Sequence, residues 1–150
     1  MPTPLQRFRK RFVNLYPPFI GAGIRARRVD KATVQVKMKL TFLNSNAVGT
    51  HFGGSLYAMC DPWYMLILMR LLGEDYIVWD KSASIRFLRP GRGTVTATFH
   101  IPQARMDEIR AAADSGEKVE PVFTVDVLDT EGKAVARVEK TLYVRRKDKE

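Results

Sequence analysis

Hydrophobic residues near the start of the chain recur at helical spacing, with basic residues between them. The residues that share this spacing are Leu5, Phe8, Phe12 and Leu15. They predict an amphipathic helix over residues 5–15, and the Pro17-Pro18 pair predicts its end. Such a helix could lie on a membrane surface or cover a ligand, but packing against its own domain is the favoured interpretation.

Alternation of hydrophobic and polar residues predicts strands over much of the remaining chain. Over residues 33–40 one face carries Val34, Val36, Met38 and Leu40, and the other carries Thr33, Gln35, Lys37 and Lys39. Less regular segments predict further strands at residues 24–29, 83–87, 95–101, 119–128 and 133–144. The last two are expected to form a hairpin around residues 129–132, and a short helix is expected near residues 106–113.

The most hydrophobic part of the chain predicts a long helix over residues 53–72, ended by Gly73. The preceding residues 43–52 are rich in turn formers and are expected to form a loop. Pro62 lies inside the predicted helix and removes one backbone hydrogen bond, so we expect a kink beside Asp61.

This order of elements predicts an α+β fold of one domain over residues 1–150. Successive alternating strands favour an antiparallel sheet, and a helix that is hydrophobic on nearly every side must be covered. A curved sheet wrapped around the long helix satisfies both conditions. Only residues 146–150 resemble a solvated tail.

Composition narrows the class of protein. The chain is 45% hydrophobic, enough for a core, and its single cysteine excludes an internal disulfide, which suits a reducing compartment. Residues 1–11 are basic but lack the hydrophobic segment of a signal peptide. Residues 56–72 contain Asp61, Pro62 and Arg70, which favours a buried helix over a membrane span. We therefore expect a cytoplasmic protein.

The net charge of +9 raises the question of an anionic partner. The basic residues are scattered, and no aromatic RNA-binding signature, zinc-finger spacing or helix-turn-helix accompanies them, so nucleic acid is not the expected partner. A phosphate-rich small molecule such as coenzyme A is equally compatible with the charge.

Gly53 and Gly54 begin the predicted long helix. Glycines allow another molecule to approach the backbone closely, and the first N–H groups of a helix have no partner within it. Such a terminus can stabilise a carbonyl oxygen as it becomes negative.

Asp61 lies two helical turns after Gly54 and has no cationic residue three or four positions away. If it were buried, desolvation would raise its proton affinity, as suits a general base. A structural role is equally open: the carboxylate could satisfy backbone groups freed by Pro62, or pair with an arginine across an interface.

The string N-A-V-G-T-x-x-G-G-x₆-D, from Asn46 to Asp61, resembles the motif of hotdog-fold thioesterases of the phenylacetyl-CoA thioesterase-like group. The order of elements agrees over nearly the whole chain. The resemblance implies a hotdog fold, a homodimer or tetramer, and an acyl-CoA or acyl-carrier thioester as substrate, with no bound cofactor.

The resemblance also implies roles for individual residues. Gly53, with help from Gly54, would donate its N–H to the thioester oxygen, and Asp61 of the partner subunit would act as base or nucleophile. Asn46 would position the water or the acyl group. Phe52 departs from the pattern, because the family usually has histidine there.

Candidate substrate-binding residues accompany this motif: His51, Phe52, Met59, Trp63, Tyr64, Lys81, Ser82, Arg86 and Arg89. Met59, Trp63 and Tyr64 would line a cleft for the acyl tail. Lys81 and Ser82, with Asp80, precede the strand that lines the cleft in the resembled family, although an edge-strand charge cluster explains them equally well.

For the other candidate residues, a structural interpretation competes with the functional one. Arg86 and Arg89, with Arg92, could meet coenzyme A phosphates or form a solvated basic face. His51 is favoured as a hydrogen-bonding loop residue, and Cys60 as an inert buried thiol. His100 is expected at the surface, and two histidines and one cysteine make a poor metal ligand set.

The leading hypothesis is hydrolysis of an acyl thioester at a dimer interface, with Asp61 as base and the glycine N–H groups as oxyanion donors. A salt bridge that locks Asp61, or a position far from any neighbouring helix start, would contradict it. The alternatives are a non-catalytic acyl-binding or lipid-binding protein and, with less support, a dehydratase or hydratase.

Overall fold

The computed structural model describes residues 13–148. Six strands, all paired antiparallel, form one sheet: β1 (Ile24–Arg28), β2 (Thr33–Lys39), β3 (Tyr76–Phe87), β4 (Thr94–His100), β5 (Val122–Leu128) and β6 (Ala134–Arg146). Their order across the sheet is β1-β2-β4-β5-β6-β3, so β1 and β3 are the two edges. The predicted antiparallel α+β fold is confirmed.

Within residues 13–148, four α-helices accompany the sheet: α1 (Pro17–Ala22), α2 (Gly53–Ala58), α3 (Trp63–Leu72) and α4 (Gln103–Asp114). Short 3-10 helices occupy Val13–Leu15 and Phe42–Asn44. None of the helices within residues 13–148 is long and hydrophobic enough to cross a bilayer.

The core lies between the concave face of the sheet and helices α2 and α3. The buried hydrophobic face of β2 and β4 includes Val34, Val36, Met38, Val95, Ala97 and Phe99, and α3 contributes Ile67 and Leu68. Strand alternation therefore orients one row of each strand inward, as predicted for residues 33–40 and 95–101.

The predicted long helix is interrupted rather than kinked. Helix α2 ends at Ala58, and residues 59–62 form a turn before α3 begins at Trp63. Pro62 has no N–H to continue the helical ladder, and Trp63 Nε1 donates to Met59 O at 2.7 Å. The indole thereby satisfies a carbonyl at the break.

The Pro17-Pro18 pair begins a helix, contrary to its predicted role as a helix end. Both prolines occupy the first turn of α1, where their missing N–H groups would be unpaired in any case. Most of the predicted helix over residues 5–15 lies outside the described residues.

The largest difference in the sheet is β3, which begins seven residues before the alternation at residues 83–87 predicted it. Its pairing with β6 shifts register between Asp80 and Ser82, leaving Lys81 as an extra residue in a β-bulge. Both Asp80, opposite Leu142, and Ala83, opposite Lys140, belong to inward-facing pairs. The bulge interrupts the alternation, which explains why the first half of the strand escaped prediction.

The hairpin turn at residues 129–132 is confirmed. Asp129 N donates to Lys133 O, and the Asp129 carboxylate accepts the N–H groups of Glu131 and Lys133. Strand β6 extends to Arg146, two residues further than predicted, and that side chain binds Asp114.

Candidate active site at the break in the central helix

Asp61 lies in the turn between α2 and α3. Its N–H is 3.4 Å from Ala58 O, and its side chain is 49% exposed in the single chain. Pro62 directly after it prevents the turn from closing into a helix. The break therefore brings a carboxylate out of an otherwise hydrophobic element to a half-exposed position.

A buried lysine binds this carboxylate from the sheet. Lys140 of β6 is 1% exposed, and its Nζ lies 3.2 Å from Asp61 Oδ1. The Tyr57 hydroxyl, one helical turn earlier, donates to the same oxygen at 2.8 Å and accepts from Lys140 at 3.3 Å. Asp61 Oδ2 makes no hydrogen bond with any described residue. One carboxylate oxygen is thus held, and the other is left available.

Asp80 approaches the same lysine from β3. Its Oδ1 lies 3.1 Å from Lys140 Nζ, an ion-pair contact in which no donor is aligned for a hydrogen bond. The Asp80 side chain is 26% exposed, and its burial, more than the opposing attraction of Lys140, raises the pKa of Asp80. Asp80 reaches Lys140 because it occupies an inward position of β3 next to the bulge.

Burial and charge act in opposite directions on Lys140. Burial disfavours its ammonium form, but the negative charges of Asp61 and Asp80 outweigh that effect, so the pKa of Lys140 is raised. Burial, together with the hydrogen bond to Asp61, raises the pKa of Tyr57. The cluster therefore brings one buried ammonium group against a phenol hydroxyl and two carboxyl groups.

Lys140 and Tyr57 were missed in the sequence. No cation lies near Asp61 along the helix, as predicted, but β6 supplies one from 79 residues away. Alternation offered a signal, because Lys140 shares the inward row of β6 with Val138, Leu142 and Val144. A lysine in such a row needs buried carboxylate partners.

The glycine pair begins α2, and aromatic rings cover both glycines. A Cβ on Gly53 would lie 2.9 Å from the Phe87 ring, and one on Gly54 would lie 2.5 Å from the Phe52 ring. Both rings are more than half exposed. Neither Gly53 N nor Gly54 N donates to a backbone carbonyl among the described residues. The two amides thus lie beneath an exposed aromatic surface.

Asn46 organises the loop before α2. Its Oδ1 accepts from Val48 N and Thr50 N at 3.1 and 3.0 Å, and its Nδ2 donates to Thr50 Oγ1 at 2.9 Å. These bonds use the amide within the loop. In the single chain Asn46 therefore shapes the approach to the glycines.

His51 is 2% exposed, and its Nε2 lies 2.8 Å from Gly93 O. Its ring packs against Gly91, where a Cβ would lie 3.2 Å from it. This placement agrees with a hydrogen-bonding loop residue. His100 pairs with Thr33 at 2.8 Å on the sheet.

The residues expected to line an acyl cleft lie in the core instead. Met59, Trp63 and Tyr64 are buried, and the Tyr64 ring stacks on Phe123 while its hydroxyl donates to Thr124 O at 3.0 Å. Their hydrophobic surface is consumed by packing because the helix is enclosed on nearly every side. The exposed hydrophobic surface near the glycines comes from other residues: Phe42, Leu43, Val48, Phe52, Phe87 and Leu88.

The charged candidates separate into two groups. Lys81 at the bulge forms an ion pair with Glu120, and Ser82 is exposed beside it. Arg86, the residue before the last of β3, is exposed, and Arg89 Nη1 donates to Ala134 O at 3.4 Å. These side chains are accessible, but they do not touch Asp61.

The remaining candidate groups add no reactive centre. Cys60 is fully buried, and burial raises the pKa of its thiol to about 12. Among residues 13–148, no three His, Cys, Asp or Glu side chains converge as metal ligands would.

Comparisons with known proteins give a family and a fold. The model of a family described as a domain of unknown function, DUF4442, matches residues 5–144. None of the curated proteins matches the chain.

Several solved structures share the architecture. PA5026 from Pseudomonas aeruginosa, a protein of unknown function called a probable thioesterase, superposes with a TM-score of 0.80 at 20% identity, covering 98% of this chain and 97% of that one. The thioesterase HI1161 from Haemophilus influenzae gives 0.67 at 17% identity, covering 97% and 92%. The E. coli PaaI protein from the phenylacetic acid degradation operon gives 0.65 at 19% identity, covering 95% and 92%. The hotdog fold expected from the motif is confirmed.

Proposed function

The chain belongs to the DUF4442 family, and from this premise we propose that it hydrolyses an acyl thioester at an interface between two of its copies. The observation that carries the proposal is the Asp61 carboxylate, half exposed at the break in the central helix with only one oxygen engaged. The shared fold with proteins called thioesterases supports the same reaction class.

The salt bridge to Lys140 changes the role that we propose for Asp61. The Lys140 ammonium and the Tyr57 hydroxyl both donate to Oδ1 of Asp61 and so fix the orientation of the carboxyl group. This group suits a nucleophile toward the acyl carbon, or a carboxylate that orients the attacking water. The salt bridge that would contradict the hypothesis engages Oδ1 alone, since Oδ2 has no partner among the described residues and half of the side chain is accessible.

The second half of the proposed site comes from the other copy. Amides at the start of α2, beneath the rings of Phe52 and Phe87, would donate to the thioester oxygen as negative charge develops on it. Attack of the Asp61 carboxylate at the carbonyl carbon forms a tetrahedral oxyanion, and its collapse breaks the carbon–sulfur bond, expels the thiolate and leaves a mixed anhydride on Asp61. Water then attacks the acyl carbon of the anhydride, the bond to Asp61 breaks, and the carboxylic acid leaves while the thiolate takes up the proton that the water loses.

The exposed edge of the sheet at β3 supports the pairing of two copies of the chain. Strand β3 is an edge strand whose outer side pairs with no other strand in the described chain, and Phe87 and Leu88 at its end are exposed. An unpaired edge next to an exposed hydrophobic surface is a typical interface.

The experiment is a thiol-release screen over acyl-CoA thioesters of increasing chain length, with Asp61→Asn beside the wild type. We expect the variant to lose about 10²-fold or more in kcat, because the neutral amide is no nucleophile and a poor proton acceptor. Asp107→Asn, on the exposed side of α4, is the matched control and should retain full activity. Equal turnover by Asp61→Asn would refute the assignment.

One observation favours a second candidate function, a non-catalytic acyl-binding protein. The Phe52 ring covers Gly54 and the Phe87 ring covers Gly53, so both glycines are partly screened. This function predicts saturable binding of acyl-CoA by calorimetry with no thiol release at any pH. Thiol release that depends on Asp61 would exclude it.

A further inference from the structure

We propose that Lys140 is a positioning residue of the candidate site, whose ammonium group, also contacted by Asp80, holds Oδ1 of Asp61 so that Oδ2 is directed to the substrate. The inference rests on the proposed hydrolysis and deepens it, because it assigns Lys140 of the sheet to support the carboxylate of Asp61 at the helix break.

The location of the Lys140 ammonium group supports a positioning role. Lys140 occupies an inward position of β6, opposite Phe123 of β5 and Ala83 of β3, and is almost fully buried. A buried ammonium is strongly unfavourable unless it is paired. Its nearest oxygens belong to Asp61, Asp80 and Tyr57, all within 3.3 Å. Lys140 thus connects edge strand β3, the neighbouring strands β5 and β6, and the turn between α2 and α3.

The direction of the contacts to Asp61 also supports a positioning role. Tyr57 and Lys140 both bind Oδ1 of Asp61, and their two contacts fix the rotation of the carboxyl group. Oδ2 has no hydrogen-bond partner among the described residues, and the Asp61 side chain is half exposed.

Asp80 is a second carboxylate near Lys140, although one carboxylate would be enough to form an ion pair. It contacts Lys140 without an aligned hydrogen bond, and the bulge places it there. The groups that face Lys140 are therefore Tyr57 from α2, Asp61 and the thiol of Cys60 from the turn, and Asp80 from β3. Burial lowers the pKa of Lys140, but the two carboxyl groups together raise it by more, so the ammonium form is favoured.

Lys140→Met tests the proposal, since methionine retains most of the volume and removes the charge. We expect kcat to fall about 10²-fold, the size of effect that misplacement of a reacting group produces, with KM little changed. Lys140→Arg keeps a cation that can donate to Oδ1 and should retain more of the kcat than Lys140→Met.

Exogenous amine supplies a rescue that a packing role would not allow. In Lys140→Ala, added ethylammonium should restore kcat with saturation, whereas an uncharged alcohol of similar size should not. Lys37→Met, on the exposed face of β2, is the matched control and should behave as the wild type. A folded Lys140→Met with wild-type kcat would overturn the proposal.

A wild type that releases no thiol from any acyl thioester would refute the hydrolysis and leave Lys140 testable. The carboxyl carbon of Asp61, assigned by Asp61→Asn, would then be followed by carbon-13 NMR. Its chemical shift at a fixed pH should differ between the wild type and Lys140→Met, because the hydrogen bond from Lys140 to Oδ1 is lost. Identical carboxyl shifts in the two proteins would overturn the positioning role independently of activity.

Discussion

His51 is a buried titratable side chain that the proposed reaction does not use. Burial lowers the pKa of His51, against the opposing effect of its bond to Gly93 O. The unfolded chain therefore binds a proton near pH 6.5 that the folded chain does not yet bind. Since the folded pKa is depressed, the unfolding free energy falls as pH drops from that value toward the folded pKa.

We predict that His51→Gln reduces this pH dependence. Glutamine can donate to Gly93 O but does not titrate, so the variant should lose less stability between about pH 7.5 and about pH 5.5 than the wild type. The limiting contribution of one such proton is about 1.4 kcal/mol per pH unit. Urea unfolding at the two pH values measures it. Parallel stability curves would exclude His51 as the source.

At the scale of elements, the break between α2 and α3 depends on a side chain as well as on Pro62. The Trp63 indole donates to Met59 O inside the core, and the ring packs between Phe19 and Phe99. The break is thus built into the core rather than left to the surface.

Trp63→Phe removes the indole donor and keeps an aromatic ring. We predict a loss of about 1–3 kcal/mol in the free energy of unfolding, because a buried carbonyl loses its partner. Trp79→Phe is the control, because Trp79 is about half exposed on β3 and stacks on Tyr143. Urea titrations compare the two. A Trp63 variant no less stable than the Trp79 variant would contradict this account of the break.

The sequence predicted the elements well where a single period governed them. Strand β2 and the hairpin of β5 and β6 follow alternation and turn chemistry that are local in the chain. The first half of β3 escaped because the bulge at Lys81 changes which residues face inward. Pro62 indicated the disturbed helix, but whether a helix kinks or stops depends on the core around it, which the sequence does not contain.

The candidate site divides in the same way. Asp61 and the glycines form one local string and were predicted from it. Lys140 is distant in sequence and meets Asp61 only through the sheet, so spacing along the chain could not place it. Met59, Trp63 and Tyr64 were expected in a cleft because hydrophobicity does not distinguish a cleft wall from a core.

For the whole molecule, we predict a homodimer of about twice 17.1 kDa in which the β3 edge and the nearby hydrophobic surface are buried. Phe87→Glu should shift it toward monomer, because association would bury an unpaired charge. Val29→Glu introduces the same charge at an exposed hydrophobic position beyond β1, the opposite edge, and should leave the dimer intact.

Sedimentation velocity distinguishes the outcomes, and thiol release measured on the same samples connects assembly to activity. A monomeric Phe87→Glu with undiminished kcat would contradict the shared site. A Val29→Glu variant that dissociates would place the interface at the other edge.

The bulge in β3 has a consequence for how the chain tolerates changes of length. Asp80 and Ala83 both face inward although an odd step would separate them in a regular strand, and Lys81 is the residue that makes up the difference. Removal of Lys81 would therefore leave every other side chain of β3 on its present face. Loss of any single residue from 83 to 86 would turn part of the strand over, exchanging buried and exposed groups. In the evolution of this chain, position 81 is where the strand can shorten by one codon and keep Asp80 beside Lys140.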